Sequence, residues 1–149
     1  MSKILVINGP NLNNLGKRDS GHYGTITLDE INQAIAKRAG ELGIEVSLFQ
    51  SNHEGGIVDH IQASSAGADG VIINGAALTQ VGYSILDALL DSHLPVVEVH
   101  LSNIHAREEF RSRSVIAPYA VGQIAGLGWQ GYIYAMEFLA NRIKETDNS

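Results

Sequence analysis

The chain has 149 residues, which is enough for one domain with a hydrophobic core. Its composition, with 44% hydrophobic and 17% charged residues, is typical of a globular protein. A net charge of −6, with scattered basic residues, argues against a nucleic-acid-binding surface. The absence of cysteine excludes disulfides, thiolate metal sites and a cysteine nucleophile. No stretch resembles a signal peptide or reaches the roughly 18 apolar residues of a membrane span. We therefore expect a soluble, cytoplasmic single-domain protein over residues 1–149.

Short apolar runs alternate along the chain with stretches of helical periodicity. The apolar runs, typical of strands buried on both faces, are Ile4–Ile7, Ile44–Phe49, Gly70–Ile73, Pro95–Val99 and, more weakly, Ser114–Ala117. The predicted helices run from Thr27 to Gly43, Gly56 to Ser65, Tyr83 to Asp91 and Gly128 to Lys144.

Capping and periodicity support these helices. Thr27 stands three residues before Glu30, which predicts a capping box. The side chains predicted to face the core are Leu28, Ile31, Ile35, Ala39, Ile57, Ile61, Ile85, Leu86, Leu89, Ile133, Met136, Leu139 and Ile143.

Strands that alternate with helices of these lengths predict βαβ units and a parallel sheet. The fold class is therefore α/β, and we expect a flavodoxin-like, five-stranded parallel sheet with helices on both faces. The pattern does not determine the strand order. The residues after about 145 are predicted to form a disordered tail.

In such folds the functional residues lie in loops beyond the carboxyl ends of the strands. The loops that follow the first four predicted strands are all rich in polar residues, and they are Asn8–Gly24, Gln50–Gly55, Asn74–Gly82 and His100–Arg111. This agreement predicts a single active site at one edge of the sheet.

The first of these loops is long and carries Arg18 and Tyr23 among several glycines, which is typical of a mobile flap. It contains neither dinucleotide-binding nor P-loop glycine motifs. A solvent-exposed pair in a flexible loop is the alternative interpretation of Arg18 and Tyr23.

Glu98 and His100 stand two residues apart at the end of a predicted strand, so their side chains share a face. A carboxylate beside an imidazole fixes its tautomer and favours its protonated form, as a general acid requires. The alternative is that His100 only satisfies a buried backbone group.

Arg107 and Arg111 are four residues apart and would point the same way on one helical turn, forming an anion site suited to a carboxylate. In the alternative interpretation they lie on an exposed turn and pair with Glu108 and Glu109. The six histidines show no zinc-binding spacing, and we expect no metal.

Four motifs, in order, resemble those of type II 3-dehydroquinate dehydratases. They are NGPNLN at 8–13, QSNHEG at 50–55, INGAALT at 73–79 and EVHLSNIHAREEFR at 98–111. The likeness extends to the glycines at 126–128 and the last helix, so it covers essentially the whole chain.

The resemblance implies trans-elimination of water from 3-dehydroquinate, giving 3-dehydroshikimate through an enolate. Tyr23 would be the base, with Arg18 supplying positive charge beside it. Asn11 would stabilise the enolate oxygen. His100, oriented by Glu98, would protonate the leaving hydroxyl.

The resemblance also implies how the substrate is bound and how the protein assembles. The substrate would be held by Asn74, Gln80, the backbone at Leu101, Ser102, Arg107 and Arg111, with Asp87 reaching in from a neighbouring subunit. Members of the family assemble as trimers packed into dodecamers and use no metal or cofactor.

The chain departs from the family pattern at two places. Gln80 replaces a substrate-binding histidine, and Asp19 and Ser20 follow Arg18 where the family has Glu-Pro. Loss of the proline should loosen the flap. These changes support one alternative, a relative that binds another cyclic hydroxy acid such as quinate or that has lost turnover. A second alternative, independent of them, is a flavodoxin-like binding domain without catalysis, although the sequence shows neither a phosphate- or flavin-binding loop nor an acidic receiver-type cluster.

Overall fold

The computed structural model describes residues 1–17 and 19–147, with the backbone alone described at residue 20. Its sheet consists of β1 (Lys3–Asn8), β2 (Glu45–Gln50), β3 (Gly70–Asn74), β4 (Val96–His100) and β5 (Gly122–Ala125). All neighbouring strands are parallel and lie in the order β2-β1-β3-β4-β5. This is the flavodoxin-like order, and the chain direction across the sheet reverses between β1 and β3.

The helices cover both faces of the sheet because successive strand residues point to opposite sides. The helices are α1 (Ser20–Tyr23), α2 (Leu28–Glu41), α3 (Glu54–Ser64), α4 (Tyr83–Ser92) and α5 (Gln130–Asp147). On β1, Ile4 and Val6 join the core formed with α2 and α5, whereas Leu5 and Ile7 join the core formed with α3 and α4.

The predicted helices and the capping box are confirmed. The Thr27 hydroxyl accepts a hydrogen bond from the Glu30 backbone N–H at 3.2 Å, and the Glu30 carboxylate accepts one from the Thr27 N–H at 3.2 Å. The predicted core side chains are buried except Leu28, Ile133 and Ile143, which are partly buried against the same core. Helix α5 continues to Asp147, three residues past its predicted end at Lys144.

The prediction of a fifth strand at Ser114–Ala117 is wrong. The Ser114 hydroxyl accepts hydrogen bonds from the backbone of Ile116 at 3.1 Å and of Ala117 at 2.9 Å, which forms a turn. The fifth strand is instead β5, which pairs with β4 at the edge of the sheet and is half exposed. An edge strand of this kind does not need the continuous apolar run by which a buried strand is recognised.

Within the described residues, no helix combines the length and apolar character needed to cross a bilayer.

Candidate active site

Nine of the twelve predicted site residues converge on one pocket at the carboxyl ends of β1, β3 and β4. It contains about 510 Å³ of space, part of it open to solvent. The predicted residues that line it are Asn11, Tyr23, Asn74, Gln80, His100, Leu101, Ser102, Arg107 and Arg111. The pocket therefore lies beside the β1/β3 switch point, where ligands bind in doubly wound sheets.

His100 and Glu98 form a buried pair at the end of β4. Nε2 of His100 lies 2.8 Å from Oε2 of Glu98, and the two residues are 5% and 1% exposed. Because Nε2 is engaged, Nδ1 is the ring nitrogen available to the pocket that His100 lines. The predicted pairing is confirmed, with Glu98 behind the imidazole.

Two residues that the sequence did not single out hold the Glu98 carboxylate. The Ser114 hydroxyl donates to Oε1 at 2.5 Å, and the Gln123 amide donates to Oε2 at 2.5 Å. Burial alone would raise the pKa of Glu98, but the hydrogen bonds from His100, Ser114 and Gln123 and the charge of His100 outweigh it and hold that pKa below its ordinary value. The carboxylate is therefore kept ionised beside the imidazole.

Tyr23, at the end of α1, meets a guanidinium group in the pocket. Nη1 of Arg107 donates to the Tyr23 hydroxyl at 2.7 Å, and the guanidinium carbon lies 5.1 Å from the centre of the tyrosine ring. The same Nη1 donates to the Ser102 hydroxyl at 3.3 Å, and the buried Nε has no partner among the described residues. Arg107 thus supplies a positive charge next to the phenol oxygen.

Asn11 is held in an unusual backbone conformation at the mouth of the pocket. Its φ of 68° lies in the left-handed region, which asparagine tolerates better than most residues. Its backbone N–H donates to the Asn52 side chain at 3.0 Å, and the Gln50 amide donates to Asn52 at 3.1 Å and to the Gly9 carbonyl at 3.1 Å. The 50–55 loop therefore supports the first loop, although its side chains do not line the pocket.

Asn74 ends β3 and is almost completely buried. Its Oδ1 accepts from the Ala76 backbone N–H at 3.1 Å, and its Nδ2 donates to the Tyr132 hydroxyl at 3.0 Å. The Tyr132 hydroxyl in turn donates to Oδ1 of Asn8 at 2.5 Å. Sequence analysis missed Tyr132, since nothing in the helical pattern of α5 indicates that one hydroxyl reaches the sheet.

Arg107 and Arg111 both line the pocket, but they do not share the helical turn that their spacing predicts. Arg107 is extended between two 3₁₀ segments, Ile104–Ala106 and Glu109–Ser112. Arg111 pairs with Glu108 at 2.9 Å, which is the alternative considered for it, and still contacts the pocket. The conformation of the loop after β4, and not a shared helical turn, therefore brings the two guanidinium groups to the pocket.

The remaining predicted site residues stand differently. Arg18 lies outside the described residues, and Glu98 lies behind His100 and does not line the pocket itself. Asp87 is exposed on α4 and does not contribute to the pocket of its own chain.

The pocket also differs from a metal centre. In residues 1–17 and 19–147, no group of three histidine or acidic side chains is arranged to hold a metal ion.

Comparisons with known proteins point to one family. The family Dehydroquinase class II matches residues 2–140 of the chain. The 3-dehydroquinate dehydratase of Roseiflexus castenholzii is 56% identical over 137 residues, covering 92% of this chain and 87% of that protein. That of Halothermothrix orenii is 55% identical over 145 residues, covering 97% of this chain and 98% of that protein. The crystal structure of a type II dehydroquinase from Butyrivibrio crossotus matches with a TM-score of 0.90 and 48% identity, covering 93% of this chain and 97% of the other.

The strand order and the polar pocket at the switch point define a flavodoxin-like α/β protein with an enzyme-like site. The family match, which spans nearly the whole chain, makes the assignment specific: the chain belongs to the class II dehydroquinases.

Proposed function

We propose that this chain is a 3-dehydroquinate dehydratase, a hydro-lyase that forms 3-dehydroshikimate by trans-elimination of water through an enolate. The observation that carries the proposal is the pairing, in one pocket, of a tyrosine held by a guanidinium with a histidine held by a buried carboxylate. The relatives that bear this enzyme's name support it. The reaction belongs to the shikimate pathway, which leads to the aromatic amino acids.

In the proposed first step, Tyr23 removes a proton from C2 of the substrate. A phenol is a weak base at neutral pH, and a cation in contact with its oxygen favours the phenolate. Arg107, at 2.7 Å from the hydroxyl, supplies that charge, and Arg18 is proposed to add to it from the same flap. Negative charge then develops on the carbonyl oxygen, which the Asn11 side chain stabilises from the pocket wall.

In the second step, His100 gives a proton to the departing C1 hydroxyl. Glu98 faces Nε2, so it stabilises the imidazolium and fixes the ring, while Nδ1 faces the substrate. The elimination then needs no metal and no cofactor, because the protein supplies the base, the acid and the enolate stabilisation.

The pocket also suits the substrate's carboxylate. Two arginines and His100 line it. Among the described residues, the carboxylates nearest to these groups do not line the pocket: Glu98 lies behind the imidazole and Glu108 pairs with Arg111. Arg107 and Arg111 therefore favour an anionic ligand, while Asn74, Ser102 and the backbone at Leu101 are proposed to bind its hydroxyl and carboxylate oxygens.

The direct test is a continuous ultraviolet assay with 3-dehydroquinate, which follows the conjugated enone of the product. We expect turnover at the same rate before and after EDTA treatment, because every proposed step uses side chains. A rate that falls with chelator and returns with added metal would contradict the metal-free mechanism. No turnover at any pH would contradict the proposed function and would direct the search to other cyclic hydroxy acids.

Gln80 provides a prediction about affinity. It lines the pocket and can donate a hydrogen bond but carries no charge. We expect Gln80→His to lower KM for 3-dehydroquinate by about threefold with little change in kcat, since a hydrogen bond from a chargeable group to an anion is the stronger one. Unchanged steady-state constants in this variant would mean that position 80 does not contribute to substrate binding.

The proposal also covers how the subunits assemble. We propose a dodecamer built from trimers in the cytoplasm, with Asp87 completing the site of a neighbouring subunit. Exposure of Tyr83 (65%) and Leu90 (45%) on α4 supports an apolar contact there, whereas Leu86 on the same helix is 8% exposed and packs into the core of its own subunit. Light scattering after size-exclusion chromatography tests the assembly, and a monomer that is fully active would contradict it.

A further inference from the structure

Tyr132 joins the C-terminal helix to the substrate pocket. It is completely buried and is among the largest buried side chains of the protein. Its hydroxyl lies between Asn8 and Asn74, which are register partners at the carboxyl ends of β1 and β3. The hydroxyl therefore occupies the switch point of the sheet, directly behind the pocket that Asn74 lines.

The direction of these hydrogen bonds follows from the groups involved. Asn74 can only donate through Nδ2, so the single Tyr132 proton goes to Oδ1 of Asn8. Burial raises the pKa of Tyr132, which favours the protonated phenol in the folded protein. Asn8 thus orients the hydroxyl so that its oxygen accepts from Asn74.

Asn74 is consequently fixed at both ends of its amide. Its oxygen is held by the Ala76 N–H and one of its Nδ2 hydrogens by Tyr132. The second Nδ2 hydrogen has no partner among the described residues, and Asn74 lines the pocket. An amide clamped in this way presents a single N–H donor in a fixed direction, so little entropy is lost when a ligand oxygen binds it.

We propose that Tyr132 is a positioning residue for substrate binding, which aims the free N–H of Asn74 at an oxygen of the bound substrate. It acts through Asn74 and does not touch the substrate itself. This inference rests on the proposed function for the identity of the substrate, but the clamp is a property of the folded protein alone.

The kinetic test uses Tyr132→Phe, which keeps the ring that fills the core and removes only the hydroxyl. We expect KM for 3-dehydroquinate to rise about tenfold, with kcat changed by less than about threefold, because a binding contact is misaligned while the acid and base remain. Asn74→Ala should raise KM at least as much. In the double variant, Tyr132→Phe should add nothing to Asn74→Ala.

The comparison of the two single variants with the double variant, a double-mutant cycle, distinguishes a positioning role of the Tyr132 hydroxyl from a general loss of packing. If the hydroxyl only stabilises α5, its removal will change KM equally in the presence and absence of the Asn74 side chain, and the proposal is wrong. Asn8→Ala removes the acceptor that orients the hydroxyl and should raise KM in the same direction without altering Tyr132. Tyr134→Phe, an exposed position two residues along the same helix, is the matched control and should leave both constants unchanged.

A second readout does not depend on turnover. In protein labelled with ¹⁵N at asparagine, the Asn74 side-chain signals are identified by their loss in Asn74→Ala. We expect their hydrogen exchange with solvent to accelerate about tenfold in Tyr132→Phe and to stay unchanged in Tyr134→Phe. Unchanged exchange in Tyr132→Phe overturns the positioning role. A wild-type protein that does not act on 3-dehydroquinate would overturn the proposed function. The hydrogen-exchange measurement would still show whether Tyr132 holds the Asn74 side chain in place.

Discussion

Tyr23→Phe is expected to lower kcat for 3-dehydroquinate by about 10³-fold, within the range that a general base contributes to proton transfer. The phenylalanine ring can still pack beside the Arg107 guanidinium, which lies 5.1 Å from the centre of the tyrosine ring, so the pocket should keep its shape. KM should therefore change by only a few-fold. The ultraviolet assay at saturating substrate measures the loss directly.

Tyr119→Phe is a suitable control for this variant. Tyr119 is 64% exposed and lies outside the active-site pocket. Its replacement should leave kcat unchanged. If Tyr23→Phe retained more than about a tenth of the wild-type kcat, the phenol would not be the base, and another group near Arg107 would have to be sought.

Glu98→Gln is expected to have the second-largest effect, a decrease in kcat of about 10²-fold, because the neutral amide no longer stabilises the protonated imidazole of His100. The loss arises at the proton donor, so KM should be less affected. Glu109→Gln, which replaces an exposed carboxylate in the loop after β4, is the control and should behave like the wild type.

The ionisation of Glu98 should also make the free energy of unfolding depend on pH. The pKa of Glu98 is lower in the folded protein than its ordinary value of 4.5, so the unfolded chain binds the proton more tightly. The stabilisation is therefore fully present above pH 4.5 and is lost as the pH falls through the folded value. The glutamine of the variant does not titrate.

Melting temperatures measured between pH 7 and pH 3 test this expectation. The advantage of the wild type over Glu98→Gln should be largest near neutral pH and should shrink below pH 4.5. A difference that stayed constant with pH would show that the ionised form of Glu98 is not favoured by folding. The kinetic effect of Glu98→Gln would then have to come from the changed hydrogen bonds of the side chain and not from the lost charge.

Local sequence patterns predict some contacts of the site and not others. The pairing of Glu98 with His100 was predictable because residues two apart on a strand share a face, and the structure confirms it. Arg107 and Arg111 do line one pocket, but the helical turn predicted for them does not form. The contact between Arg107 and Tyr23 joins residues 84 positions apart and has no local signature.

The central strands and the main helices were determined by the sequence itself, since buried strands require continuous apolar runs and covering helices require apolar residues at helical spacing. The position of the pocket was also predictable, because polar residues concentrate in the loops after those strands.

Tertiary structure decided the strand order, the place of the half-exposed edge strand β5 and the contacts that support the site. Tyr132 meets Asn8 and Asn74 across 124 and 58 positions, and Gln123 meets Glu98 across 25. The partners of these side chains depend on which elements the fold places side by side, and the spacing of residues along the chain does not contain that information.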